Sequence, residues 1–173
     1  GFPERSVGLL PAWGGTVQSL VRALGAGEPL PAASAFAVTT SCEVSTSAWQ
    51  AADWHLLTDH DEVVASVHRV LAEAKAVALE LLERGWTPPA PVELPLHSPD
   101  AEPLDAGWAD ASETDRAIVA RIAGILTGGR PGATASEEDL LPLEVDAAVD
   151  LLQRPLNQER VWHLLRTNRP LAN

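Results

Sequence analysis

Few side chains of this sequence combine a reactive type with a suggestive setting, and Glu4 is the first of them. It precedes an apolar run at residues 7–10, which is followed by Trp13, Gly14 and Gly15. A carboxylate can serve as a general acid or base when the fold holds it against a substrate. Taken alone, Glu4 is more readily interpreted as a solvated carboxylate, and the catalytic interpretation depends on its setting.

A second group of side chains has the chemical types of metal ligands. Its members are Asp53, His55, Asp59, His60 and Asp61. They fall at the end of a predicted helix and in a polar turn, and no repeated helical spacing aims them at one point. The sequence therefore predicts no metal site.

The charge balance bears on which partners are expected. Twelve Lys and Arg stand against 24 Asp and Glu, which gives a net charge of −12. Such a surface repels polyanions, so no nucleic-acid partner is predicted. The single cysteine, Cys42, excludes an internal disulfide, and no run approaches the roughly 20 apolar residues of a membrane span. We expect a cytoplasmic protein with no membrane span.

The elements that must position these side chains are predicted to be helices. Four follow from apolar spacing and from residues that favour helix ends. They run from Gly14 to Gly25, from Pro31 to about Val38, from Ser45 or Ser47 to Trp54, and from about Glu62, capped by Asp61, to Arg84.

A proline-rich strap at residues 87–112 separates these helices from three more, and it includes a short extended piece near 92–96. The later helices are predicted at 113–126, after Ser136 with a bend or true start at Pro142, and at about 157–166. Val145, Ala148, Val149 and Leu152 are predicted to form the apolar face of the second of them. The chain thus divides into 1–86, 87–112 and 113–173.

Tryptophans spread over several elements are expected to fill a core. They are Trp13, Trp49, Trp54, Trp86, Trp108 and Trp162.

The setting of Glu4 carries a resemblance to a known family. Its strings are Pro3-Glu4, Val7-Gly8-Leu9-Leu10-Pro11 and Trp13-Gly14-Gly15-Thr16. Together they resemble the Pro-Glu, Gly-Leu/Ile-Ile-Pro, Gly-Gly-Thr segment of the crotonase superfamily. Further strings are similar to the fused 3-hydroxyacyl-CoA dehydrogenase/enoyl-CoA hydratases of fatty-acid β-oxidation, in which the dehydrogenase comes first. They include Val44-Ser45-Thr46-Ser47-Ala48, Trp86-Thr87-Pro88-Pro89, Leu126-Thr127-Gly128-Gly129 and the tail Asn168-Arg169-Pro170-Leu171-Ala172-Asn173.

The resemblance implies that the chain is the mostly α-helical C-terminal portion of an α/β crotonase-like fold. Most of the spiral of strands and helices would lie upstream, and residues 1–24 would close its last turn. Without that spiral, the apolar faces near residues 7–24 would lack a partner surface and the chain alone would be unstable or sticky.

The implied reaction is syn addition of water to a trans-2-enoyl-CoA, with Glu4 as the catalytic residue that protonates the α carbon. Hydration needs no cofactor, and NAD is expected only for the upstream dehydrogenase domain. The first glutamate and the oxyanion-hole amides would also lie upstream, so the isolated chain is predicted to be inactive. The implied partners are an acyl-CoA thioester and the upstream dehydrogenase domain of the same polypeptide, and association into a homo-oligomer stays open.

Five other residues are candidates for contacts in such an enzyme. Gly14 and Gly15 form either a tight turn for close helix packing or a helix N-terminus near the acyl thioester. Trp13 either lines the acyl pocket or packs in the core. Arg166 and Arg169 are candidates for binding CoA phosphates or for docking onto the upstream domain.

Two further classes of function stay open. Crotonase folds also host isomerases and hydrolases that act on acyl-CoA, and a likeness of fold does not choose among them. Alternatively, the chain is a non-catalytic helical docking module, in which case Glu4 is dispensable.

Overall fold

A computed structural model of the chain describes residues 1–98, 100–129 and 134–173. Helices predominate in these ranges. They are α1 Gly15–Gly25, α2 Pro31–Thr40, α3 Ala48–Asp53, α4 Val70–Glu83, α5 Glu113–Leu126, α6 Glu137–Gln153 and α7 Pro155–Thr167.

Four short elements accompany the helices. Two are 3₁₀ turns, Glu4–Val7 and Ala106–Trp108. The others are the strands β1, Leu94–Pro95, and β2, Thr134–Ala135, which pair antiparallel with Leu94 opposite Ala135. β1 lies within the extended piece predicted near residues 92–96.

The chain divides into two compact units. One comprises Gly1–Thr58 together with Val92–Asn173, and the other is Asp59–Pro91. In the larger unit α1 packs against α2, α5 and α6, whereas α7 packs against α6 and the 3₁₀ turn Glu4–Val7.

The core of the larger unit lies between α1, α5 and α6. Its fully buried side chains include Val17 and Leu20 of α1, Ile118 and Ile122 of α5, and Leu140 of α6. Burying one such side chain stabilises a fold by about 1.5–3 kcal/mol. The apolar side chains of α1 therefore have partner surfaces within the chain, and the expectation that residues 7–24 lack one is wrong.

Several predicted helix ends are confirmed because they depend on local chemistry. The Ser47 hydroxyl accepts a hydrogen bond of 3.1 Å from the Gln50 amide and caps α3. Ser136 and Asp139 form the capping box of α6. Gly128 follows α5 with a φ of 72°, a left-handed conformation that glycine adopts readily.

The unit Asp59–Pro91 contains α4, which begins eight residues later than predicted. The helix starts at Val70 rather than near Glu62, so Asp61 lies too far upstream to cap it. No residue of α4 is buried, and Val67 is 78 % exposed. The apolar side chains between Glu62 and Val70 stay exposed or half-buried, and no full burial stabilises additional helical turns there. The predicted end is confirmed, since Gly85 has a φ of 69°.

The predicted apolar face of α6 is wrong. Val145, Val149 and Leu152 are exposed, and the buried face is instead formed by Leu140, Glu144, Ala147 and Leu151. The packing of α1 and α5 selects this face. Pro142 lies inside α6 and does not mark its start.

The expectation that the tryptophans fill the core is also wrong for most of them. Trp13, Trp49, Trp86 and Trp162 are exposed. Trp54 and Trp108 are half-buried, and Trp108 packs against the core.

Candidate functional site

Glu4 begins the 3₁₀ turn Glu4–Val7, and one of its carboxylate oxygens is buried. This oxygen, Oε2, has no hydrogen-bond partner in the part of the chain that the structure describes. A buried polar atom without a partner costs about 1–3 kcal/mol of stability, so such atoms call for a functional or solvent-based explanation. Glu4 is therefore the leading candidate for a reactive group.

Gly8 ends the turn and presses it against α7. Its φ is 88°, and its N–H donates to the Arg5 carbonyl at 3.1 Å. The side-chain amide of Asn157, which is buried, donates to the Gly8 carbonyl at 2.6 Å. A Cβ at Gly8 would lie 2.7 Å from the Asn157 carbonyl oxygen. Only glycine fits this conformation and this close approach.

Arg5, which follows Glu4 in the chain, belongs to a partly buried polar network. Arg160 of α7 is only 2 % exposed, and Asp115 Oδ1 accepts hydrogen bonds of 2.9 Å from both Arg160 Nη1 and Arg5 Nη1. Arg160 Nη1 also donates to the Arg5 carbonyl at 3.0 Å. The remaining donors reach Ser112 Oγ at 2.9 Å and Asn173 Oδ1 at 2.8 Å. We refer to these five residues as the arginine clamp.

The clamp connects the turn to other elements of the larger unit. Arg5 Nε donates to the Thr40 carbonyl at 2.8 Å, and the Arg5 guanidinium lies 4.7 Å from the centre of a Trp108 ring. The Thr114 hydroxyl donates to Asn173 Oδ1 at 2.8 Å. The turn that carries Glu4 is thus tied to α2, α5, α7 and the last residue of the chain.

The clamp determines the ionisation of its one carboxylate. Burial raises the pKa of the Asp115 carboxyl, but hydrogen bonds from Arg160 and Arg5 and the charge of Arg160 outweigh it. The pKa therefore lies below its usual value of 3.8. Asp115 is a carboxylate at neutral pH and forms ion pairs with two guanidinium groups.

The lowered pKa gives a pH-dependent contribution to stability. Stabilisation by the carboxylate is fully present above about pH 3.8 and is lost as the pH falls through the folded-state pKa. We expect Asp115→Asn to lower the free energy of unfolding by about 1–2 kcal/mol above that pH, and the difference to shrink below it. Urea unfolding at several pH values measures this, with the exposed Asp146→Asn as control. A difference that does not change with pH would contradict it.

A second buried carboxylate, that of Glu144, holds the start of α1. It is 2 % exposed and accepts hydrogen bonds from the amides of Gly14, Thr16 and Val17 at 2.5, 3.1 and 3.2 Å. Burial raises the pKa of Glu144 above its usual 4.5, although these hydrogen bonds act in the opposite direction. The helix N-terminus thus has its anion within the chain.

Close packing at Gly15 supports the tight-turn interpretation of the glycine pair. A Cβ at Gly15 would lie 2.9 Å from Pro11 Cβ and 3.4 Å from Phe2 Cε1. Gly14 has a φ of 82°. The amides of Gly14, Thr16 and Val17 already donate to Glu144. A role of Gly14 and Gly15 in binding substrate stays a prediction.

The amino-acid sequence of the chain is similar to that of a curated bacterial protein. A probable 3-hydroxyacyl-CoA dehydrogenase of Bacillus subtilis (strain 168) is 29% identical to it over 190 aligned positions. The alignment covers all of this chain and 23% of the relative, so the chain spans about a quarter of the length of the protein it matches. No family model and no solved structure matches the chain.

The other residues predicted from the sequence lie on the surface. Trp13 is fully exposed and has a φ of 60°. Arg166 and Arg169 are exposed at the end of α7 and just beyond it, and the Arg166 guanidinium lies 5.8 Å from the centre of a Trp162 ring. The structure does not bring these side chains into the arginine clamp.

Four polar residues that hold these elements together were not predicted from the sequence: Glu144, Asn157 and Arg160, which are buried, and Asp115, which is partly buried. A signal was present for two of them. Glu144 falls in the four-three-four spacing of the buried side chains Leu140, Ala147 and Leu151. Arg160 lies four residues before the half-buried Leu164 of the same helix. A charged residue within an apolar stripe can indicate a buried ion pair or a cap.

The described residues also bear on metal binding and on membrane insertion. Within residues 1–98, 100–129 and 134–173, no group of three or more His, Cys, Asp or Glu side chains is arranged to hold a metal ion. None of the helices described is both long and apolar enough to cross a membrane.

Proposed function

We propose that the chain is the C-terminal segment of a longer acyl-CoA enzyme of fatty-acid β-oxidation, which we call the complete polypeptide. The complete polypeptide adds water to a trans-2-enoyl-CoA, and Glu4 protonates the α carbon. The observation that carries this proposal is the buried, unpaired Oε2 of Glu4 on a turn fixed by the arginine clamp. The similarity to a probable 3-hydroxyacyl-CoA dehydrogenase and the crotonase-like strings around Glu4 support it.

The proposed reaction balances as one water added to one double bond. Water attacks the β carbon and loses a proton to a second carboxylate, while the electrons of the double bond move toward the thioester carbonyl. The resulting enolate is stabilised by two backbone N–H groups. It then takes a proton at the α carbon from Glu4, which enters the step as the neutral carboxylic acid. Transfer of the water-derived proton from the second carboxylate to Glu4 through solvent returns both groups to their starting states. The second carboxylate and both N–H groups belong to the upstream part of the complete polypeptide.

The unpaired state of Oε2 suits this role energetically. A hydrogen bond to a charged group contributes about 1.5–3 kcal/mol, and a catalytic carboxylate that made one within the protein would have to give it up to react. Oε2 of Glu4 makes no such bond in the described part of the chain. A proton transfer at Oε2 therefore breaks no hydrogen bond within the described residues.

Assays with a short trans-2-enoyl-CoA test the proposal directly. We expect the complete polypeptide to consume the conjugated thioester, which is followed by its absorbance, and to form the 3-hydroxyacyl product. The 173-residue chain alone should be inactive, because it would lack the second carboxylate and the oxyanion-hole amides. Absence of turnover by the complete polypeptide would overturn the proposal, and turnover by the pure chain would overturn the assignment of the upstream groups.

One observation favours a second candidate, a helical docking module without catalytic function. No residue of α4 is buried, and its Leu71 and Leu82 are 83 % and 74 % exposed. Exposed apolar side chains on one helix are typical of surfaces that contact a protein partner. Under this alternative, a change at Glu4 leaves the activity of the complete polypeptide unaltered. Analysis of the products separates both candidates from an isomerase or a hydrolase.

A further inference from the structure

One residue of the arginine clamp, Arg5, is next to the proposed acid Glu4 in the chain. Resting on the proposed role of Glu4, we propose that Arg160 and Asp115 are positioning residues that hold the Glu4 carboxylate in place for proton transfer. They act through Arg5, whose backbone and side chain they both bind.

Arg5 is fixed at both ends. Its carbonyl accepts from Arg160 Nη1 at 3.0 Å and from the Gly8 amide at 3.1 Å, and its guanidinium donates to Asp115 Oδ1 at 2.9 Å and to the Thr40 carbonyl at 2.8 Å. Consecutive Cα atoms are about 3.8 Å apart. The position of the Glu4 backbone therefore follows from the position of Arg5.

The chemistry of Arg160 indicates that geometry is what the clamp provides. Its guanidinium donates from Nε, Nη1 and Nη2 to four residues on three segments: Arg5, Ser112 and Asp115 at the start of α5, and Asn173. A lysine ammonium is a single point and cannot reach these acceptors together. A buried ion pair is weak evidence for stability, because well-packed apolar residues often stabilise a fold equally well. Hydrogen bonds from a planar guanidinium have defined directions, and one of them fixes the orientation of the Arg5 carbonyl.

The expected consequence follows from the geometric demands of catalysis. A displacement of about 1 Å at a reacting group can cost about 100-fold in rate. Loosening the clamp should therefore lower kcat while KM, which depends on acyl-CoA contacts elsewhere, changes less. The loss should depend on the presence of the Glu4 carboxylate.

A double-mutant cycle in the complete polypeptide tests the inference. We expect Arg160→Lys to lower kcat about 10- to 100-fold. In the Glu4→Gln background, the same change should lower kcat by less than about twofold, because a residue that acts through Glu4 has nothing left to position. Arg154→Lys is the matched control, since Arg154 pairs with Asp150 and is 41% exposed. It should leave kcat within about twofold of wild type.

The outcomes separate this inference from the proposed function. Equal losses from Arg160→Lys in both backgrounds would overturn the positioning role and leave the role of Glu4 intact. Full activity of Glu4→Gln would instead overturn the proposed function. If Arg160→Lys does not fold, as judged by circular dichroism, Asn173→Ala replaces it in the cycle. That change removes the 2.8 Å acceptor of Arg160 Nε at a partly exposed position, and its outcomes decide in the same way.

Discussion

Replacing Glu4 with glutamine should slow hydration of a trans-2-enoyl-CoA by the complete polypeptide about 100- to 10,000-fold. The amide has nearly the shape of the carboxyl group but cannot supply a proton to the α carbon. KM should change little, because the turn that carries residue 4 is held through Arg5 and Gly8. The loss should therefore appear mainly in kcat.

The fate of the α proton gives a sharper measurement than the rate alone. In deuterated water, the complete polypeptide should introduce one deuterium at the α carbon, and the Glu4→Gln variant should do so as slowly as it hydrates. Glu138→Gln is the matched control, because Glu138 is an exposed glutamate of α6. Activity of Glu4→Gln within about threefold of wild type would contradict the catalytic role and favour the docking module.

The local structure around Glu4 separates this loss of activity from a loss of folding. Oε2 makes no hydrogen bond with the described residues. Replacing Glu4 with glutamine therefore breaks no hydrogen bond of Oε2 within this part of the chain. Removing a functional but unsatisfied group often leaves stability unchanged or raises it. An unaltered melting temperature of the Glu4→Gln variant would show that its lower activity results from the lost acid and not from unfolding.

Helix positions in this chain are largely predictable from local residues. The ends of α3, α5 and α6 follow from Ser47, Gly128 and Ser136, because each of these residues satisfies backbone groups within its own turn. The start of α4 is not predictable in this way. Its first residue, Val70, follows no side chain that caps the helix, and apolar periodicity alone does not determine where hydrogen bonding begins.

The buried faces of the last two helices depend on distant residues. Val145 and Val149 have the apolar character of a core face, yet α1 and α5 cover the opposite side of α6. Arg160 is buried because Asp115 and the Arg5 carbonyl, 45 and 155 residues away in the chain, accept its hydrogen bonds. No local pattern contains those partners. The candidate acid Glu4 was predicted from its neighbours, whereas the residues that hold it were not.

Replacing Glu144 with alanine should lower the free energy of unfolding of the chain by about 3–5 kcal/mol. The amides of Gly14 and Val17 would lose the acceptor that Glu144 provides at 2.5 and 3.2 Å, and each unsatisfied buried donor costs about 1–3 kcal/mol. The Thr16 amide would suffer less, since it also donates to the Pro11 carbonyl at 3.1 Å. Urea unfolding followed by circular dichroism measures the loss.

Two further substitutions show whether the amides of α1 are the cause. Glu138→Ala, on an exposed position of the same helix, should change the free energy of unfolding by less than about 0.5 kcal/mol. Glu144→Gln should lie between wild type and alanine. The amide oxygen still accepts from α1, and glutamine also avoids burying the charge, a cost that the raised pKa of Glu144 reflects. If glutamine destabilised the chain as much as alanine, the carboxylate charge rather than the hydrogen bonds would be what stabilises the start of α1.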